Sequence, residues 1–447
     1  MATTISFPKP YLAEGKIHIP VSAYLEEYKA KVRELRRELV MPGFRPGQVP
    51  TDVIMGRYGE RFLSEILSQK FLDSLKALLG GRELFQYPFY EHTPASYQVK
   101  PPFPDYEYTF QALVIAQEPL IREAPRLLRY RYEESSEDVS LFQSYLRMVF
   151  GRLEEVERLP EQLPSDKYVV LRLSWRPHEG AEALRLRWNS LIEPFPWSHL
   201  AGREVGQTFE APPHILSAYT EYIRSFYPDF SPLTSDSVKL TITGAAFAVP
   251  APLEEIEEKL HIHPHEGEAP PDHGEFWRAL LLRHVEQSLS ELNHRLYQNQ
   301  FLHAAGIEIP PNLAQFLYLL YLSTRSQESA RGLDYKDFQR ELAWELLFQS
   351  FLAVEPSLRV SDEELKDSVW ENIQKVGELS EQSKSFVDSL RESEAAREEF
   401  ISSFLQNNEG KFRRSLQEKR FEAFLREKYG EPVEHPISLK SLLLYTL

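Results

Sequence analysis

Eight residues, Gly43-Phe44-Arg45-Pro46-Gly47-Gln48-Val49-Pro50, have the composition of a recognition loop between two helical stretches. Glycines at 43 and 47 open backbone angles closed to other residues, so the chain can turn tightly and hold Phe44 and Arg45 outward. A projecting ring beside a guanidinium suits a partner with an apolar pocket next to anionic groups, because arginine pairs well with phosphate and carboxylate. The same residues also read as a plain helix–helix connector with Phe44 folded back on the core. Residue type and spacing alone leave both readings open.

Other residues with chemical potential are weaker. Phe195, Trp197, Phe209 and Tyr227 could line an apolar pocket or fill a core. His261, His263 and His265, with His273 nearby, could present imidazoles to a metal. They lie in a Pro- and Glu-rich stretch without a second motif, so a solvated linker is the expectation, and no metal site is assigned. Glutamate pairs such as Glu254-Glu255 and Glu257-Glu258 read as helix-surface charge. No P-loop, no G-x-G-x-x-G and no G-x-S-x-G occurs. No catalytic residue and no cofactor are therefore expected.

The elements that must position the loop follow from periodicity. Lys16 to Val21 alternates as a strand, and Ser22 can cap a helix from Ala23 to about Val40. The Gly/Pro loop stops that helix. A second helix is expected from about Glu60 to Leu79, then strands at 85–90 and 106–115, closing an α+β unit. Residues 135–160 carry a helical pattern through Leu141, Tyr145, Val149, Leu153 and Val156. Strands are expected at 168–173, 184–191 and 238–242. After Pro250 the pattern is almost wholly helical, at 275–304, 311–324, 335–353, 361–391, 394–407 and 410–428. The expected division is 1–115 (α+β), 116–164 (linker helix region), 165–249 (small and β-rich) and 250–447 (all-α): an α+β multidomain protein. Its 447 residues exceed what one hydrophobic core serves.

Charge narrows the function classes. The formal net charge is −16, which repels nucleic acid unless cations gather locally. They do gather: residues 1–110 hold 14 Lys/Arg against 13 Asp/Glu, and residues 29–57 hold seven against three. There is no cysteine, which excludes disulfides and thiolate chemistry. No apolar run approaches the roughly 18 residues of a membrane span, and no secretory leader is visible, so a cytoplasmic protein without a membrane partner is expected.

The loop resembles the ribosome-binding signature of the trigger factor family, which it matches at Gly43, Phe44, Arg45, Gly47 and Pro50. Pro46 stands where that family usually has lysine, so one cation is missing. Tyr297-Gln298-Asn299-Gln300-Phe301 through Ile307-Glu308-Ile309-Pro310 is similar to the family's entry into its C-terminal domain, and Ile437 to Leu443 to its ending. The resemblance implies a ribosome-binding domain at 1–115, with Gly43, Phe44, Arg45, Pro46, Gly47 and Pro50 as its contact loop. It implies a middle domain like an FKBP-type prolyl isomerase, resting on Gly202-Arg203-Glu204-Val205-Gly206-Gln207-Thr208-Phe209, and a helical chaperone domain with arm-like helices. The middle domain departs from the family where its pocket should form, at Leu173-Ser174-Trp175-Arg176-Pro177 and Leu191 to Trp197, so a degenerate isomerase is expected. The implied partners are the ribosome, through an exit-tunnel protein and adjoining RNA, and nascent or unfolded polypeptides, engaged without nucleotide. A homodimer of free molecules is also implied. An active isomerase and a ribosome-independent helical holdase or interaction protein remain the alternatives.

Overall fold

The computed structural model of the chain describes residues 3–45, 47–177, 183–191, 197–224, 230, 237–260, 273–324, 334–377 and 381–444. The first strands, β1 (Thr4–Lys9) and β2 (Leu12–Ile19), pair antiparallel. Ile17 and Ile19 are buried, as the alternation requires, but β2 begins four residues before the expected Lys16. Ser22 is not a helix cap. It lies in a 3₁₀ turn, Val21–Ala23, and α1 (Leu25–Glu38) starts after Tyr24. The reason is tertiary: the Val21 amide donates to Asp105 (2.7 Å) and the buried Tyr24 hydroxyl to the Pro104 carbonyl (2.6 Å), which hold the turn against the next segment. α2 (Thr51–Leu78) is longer than its apolar stripe suggested and starts directly after Pro50. β3 (Phe89–Thr93) and β4 (Tyr106–Leu113) complete an antiparallel sheet ordered β1-β2-β4-β3. One face of that sheet packs on the two helices, with Phe71 stacked 5.0 Å from Tyr108 in a core that also holds Tyr24, Tyr28 and Leu67.

β5 (Leu128–Tyr132) follows, then α3 (Asp138–Val149). The expected helix to Val156 ends early because residues 152–155 are taken as a strand, β6 (Arg152–Glu155), by pairing with residues 246–249. β7 (Tyr168–Trp175), β8 (Leu184–Asn189), β9 (Thr208–Ala211) and β10 (Val238–Val249) form the β-rich middle, ordered β6-β10-β7-β8 with β9 also on β10. A short α4 (Thr220–Arg224) precedes β10 and α5 (Leu253–Lys259) follows it. The helical half comprises α6 (His273–Ala305), α7 (Pro311–Ser323), α8 (Tyr335–Val354), α9 (Asp362–Gly377), α10 (Glu381–Glu392) and α11 (Glu394–Tyr429). The last two expected helices are thus one, continuous through Gly410. The tail forms β11 (Val433–Ile437) and α12 (Leu439–Leu443).

Contacts divide the chain into two units that do not follow sequence order. One is Met1–Ala124 with Ala304–Tyr429, and the other is Pro125–His303 with Gly430–Leu447. In the second unit β11 lies parallel to β5, and Leu439, Leu442 and Leu443 enter the core beneath the middle sheet. The other edge of β5 is met by α6: Asn293 bonds both the amide (2.7 Å) and the carbonyl (2.9 Å) of Tyr130, and Gln300 does the same for Leu128. An asparagine and a glutamine two helical turns apart thereby satisfy a strand edge.

Candidate functional site

The loop of residues 42–50 caps the open end of the α1–α2 hairpin. Its base is fixed by burial: Val49 is fully buried and Met41 packs against the core of the first sheet. Gly43 and Gly47 take φ of +89° and +79°, the left-handed turns the sequence required of them, and open space lies where a side chain would point. The Phe44 amide bonds the Met41 carbonyl (3.1 Å) and the Gln48 amide the Arg45 carbonyl (2.9 Å). Phe44 is not folded back on the core. It is 39% exposed, and Val40 (74%) stands exposed on the approach to the loop. Arg45 is exposed, Pro50 precedes the first turn of α2, and Pro46 lies outside the described residues.

Charge is distributed along the hairpin in a way the sequence could not show. At the sheet end the cations are spent on carboxylates: Lys70 with Glu27 (3.0 Å), Lys31 with Glu65 (3.0 Å), Arg61 with Glu65 (2.9 Å) and Lys29 with Glu26 (2.9 Å). The hydrogen bonds from Arg61 and Lys31 hold the Glu65 carboxyl below its ordinary value. Those pairs place residue 27 opposite 70 and residue 31 opposite 65, so Arg36 and Arg37 lie at the level of the first turns of α2, where Arg57 stands. Arg33, Arg36, Arg37, Arg45 and Arg57 are all exposed, and none is ion-paired among the described residues. An apolar ring and a set of uncommitted guanidiniums share the loop end, which suits a partner with an apolar pocket beside anions.

Of the four aromatic residues singled out in the middle domain, Phe209 and Trp197 are among the described residues. Phe195 and Tyr227 lie outside the described residues. Phe209 is buried in the core beneath the middle sheet, with the Arg203 guanidinium 4.8 Å above its ring. Trp197 is half-buried at the edge of that core and its indole N–H donates to the Glu161 carbonyl (3.3 Å). Gly202 and Gly206, both at positive φ, shape the turn that leads into β9, which pairs with β10. Trp175, at the expected pocket opening, is buried and meets Phe230 edge to face at 5.3 Å. His261, His263 and His265 lie outside the described residues, and no cluster of metal-ligating side chains occurs among the described ones.

In the helical half, the apolar run of α7 divides between two faces. Leu313 and Leu317 are buried and Phe316 packs on Phe89 at 5.7 Å, whereas Leu319 (59%), Leu320 and Leu322 stay exposed. The corresponding residues of α8 are core: Leu346, Leu347, Phe348 and Phe351 are buried, and Phe348 and Phe351 pack on Phe421 of α11. Phe386 of α10 is exposed and meets Phe400 of α11 edge to face at 5.3 Å. No helix among the described residues is long and apolar enough to cross a membrane.

Residues 1–115 match the family model described as bacterial trigger factor protein (TF). The trigger factors of Rhodospirillum rubrum and Azospirillum brasilense are 34% and 39% identical to this chain over 71 residues, which is 16% of this chain and 16% of theirs. That of Methylobacillus flagellatus is 32% identical over 97 residues, 21% of this chain and 22% of its own. The matched stretches thus span less than a quarter of those relatives. A solved chain from work on promiscuous substrate recognition in folding and assembly activities of the trigger factor chaperone covers 96% of this chain and 100% of its own. It does so at 17% identity and a TM-score of 0.32, too low to say anything of the fold. Over its first 115 residues, then, the chain is similar to bacterial trigger factor.

Proposed function

We propose that the chain is a cytoplasmic, ribosome-associated chaperone that docks beside the peptide exit tunnel and shelters emerging polypeptides without nucleotide. The observation that carries this reading is the end of the α1–α2 hairpin: Phe44 and Arg45 exposed on a loop that matches the family, next to arginines with no ion-pair partner among the described residues. Phe44 would enter an apolar pocket on an exit-tunnel protein, and Arg45 with Arg36, Arg37 and Arg57 would meet the adjoining RNA phosphates. Loss of the usual lysine at position 46 places more of the electrostatic attraction on those helix arginines. Exposed Leu319, Leu320, Leu322 and Phe386 offer many weak apolar contacts to unfolded chains, released as the client buries its own surface.

The four-part division at 115, 164 and 249 is retained as the functional reading of the chain. The middle domain is a degenerate relative of an FKBP-type isomerase, because Phe209 and Trp175 serve the core beneath the sheet and are not free to line a prolyl site. Free molecules would associate as dimers. The purified chain should pellet with ribosomes at low salt and delay aggregation of a chemically unfolded protein in the absence of ATP. Ribosome-independent aggregation suppression alone would move the holdase reading ahead. Ordinary prolyl isomerisation in a protease-coupled assay would reject the degenerate-isomerase reading.

A further inference from the structure

The first turns of α2 divide into two faces, successive residues being turned by about 100°. Ile54 and Gly59 are buried, and Met55 and Tyr58 pack against the core of the first sheet. The opposite face carries Val53, Gly56, Arg57 and Glu60, all exposed. It continues the open end of the hairpin, because α2 starts directly after Pro50.

Gly56 has no structural reason to be glycine. A Cβ there would meet nothing within 4 Å, and the residue lies inside a helix, where glycine costs stability against alanine. Gly59, one turn later, differs: the Tyr28 hydroxyl lies 2.5 Å from where its Cβ would stand, so packing holds that position to glycine. Val53, 37% exposed, shares the outward face with Gly56. On the α1 side the backbone leaves the helix extended at Leu39. Leu39 and Met41 therefore turn in on the core, and Val40 between them turns out. Fourteen large apolar side chains are exposed among the described residues, and three of them, Val40, Phe44 and Val53, fall within residues 40–53. Exposed apolar residues scattered singly are ordinary, whereas gathered ones mark an interaction surface.

We propose that the docking surface continues from the loop along this outward face of α2. Val40 and Val53 flank Phe44 as apolar contacts, and Gly56 admits the main chain of the bound protein against the helix. This extension rests on the docking reading above. Its occupant is an apolar stretch of protein: valine gains nothing from a phosphate, and glycine is the residue that lets one backbone approach another closely. Arg57, one turn beyond Val53 on the same face, meets anions at the border of that contact.

At Gly56 the fold and the contact call for opposite responses, which makes the test discriminating. Gly56→Ala should raise the urea midpoint and yet weaken ribosome binding several-fold. Gly56→Gln and Val53→Ser should each weaken it by about tenfold or more. Gly410→Ala in α11, also exposed with open space around it, should raise the urea midpoint and leave binding unchanged. Co-sedimentation of the full-length variants with ribosomes, titrated to a dissociation constant, reads all four. If the intact chain does not pellet, or the Phe44→Ala, Arg45→Ala variant binds equally well, the docking reading falls and this extension with it. If that double variant loses binding while Gly56→Gln and Val53→Ser, folded by circular dichroism, bind like the intact chain, docking stands and the extension along α2 is overturned. A loss in Gly410→Ala equal to that in Gly56→Ala also overturns it.

Discussion

Two residues show how the parts of this protein respond to small changes. Gly59 of α2 lies against Tyr28 of α1: a Cβ there would stand 2.5 Å from the Tyr28 hydroxyl, which donates to the Val99 carbonyl at 2.9 Å. Gly59→Ala should therefore cost about 1–3 kcal/mol, as overpacking does. Gly56→Ala, one turn earlier and in open space, should be stabilising by about 0.5–1 kcal/mol. Urea midpoints of the two variants check this directly. His284 of α6 is the other case. It packs among Phe142 (5.2 Å) and Tyr145 (6.0 Å), and burial pushes its imidazole below the ordinary value near 6.5. The unfolded chain then binds the proton more tightly than the folded one. The stabilisation is complete above about pH 6.5 and declines as pH falls toward the lowered folded value. Thermal melts at pH 7.5 and 5.5 should show that loss, and His284→Phe should reduce it.

Among the elements, the hairpin loop was the most legible in sequence, because two glycines and a proline dictate local backbone geometry whatever surrounds them. The ends of β2, α1, α3 and α11 were not. Pairing of residues 152–155 with β10 overrides a helical pattern through Leu153 and Val156. Packing carries α11 through Gly410, on either side of which Arg397, Arg413 and Arg414 are tied to Glu394, Asp362 and Glu345. The place of Phe209 was not legible for a similar reason. Spacing marks Phe209 as aromatic and near a turn, but only the register of β9 on β10 assigns its ring to the core. At this scale the side-chain ladder on β5 is the sharpest prediction. Asn293→Leu removes both bonds to the Tyr130 backbone and should cost about 1–3 kcal/mol, read as a lower urea midpoint and faster amide exchange in β5.

The whole molecule returns on itself, since the second unit is completed by residues that follow the long helix of the first. Ile437, Leu439, Leu442 and Leu443 are all buried there, so a chain ending at Tyr429 forfeits on the order of 6 kcal/mol or more of apolar burial. That is comparable to the stability of an ordinary domain. Hydrogen exchange on the truncated chain should show protection lost across residues 125–303 and retained in the first sheet and α2. Function at this scale rests on the exposed loop end of the hairpin, and ribosome co-sedimentation of the intact chain against the Phe44→Ala, Arg45→Ala double variant tests it most directly. The account predicts that the intact chain pellets with ribosomes at low salt. The variant, folded by circular dichroism, should stay in the supernatant. Equal pelleting of both, or no pelleting of the intact chain, would contradict docking through this loop.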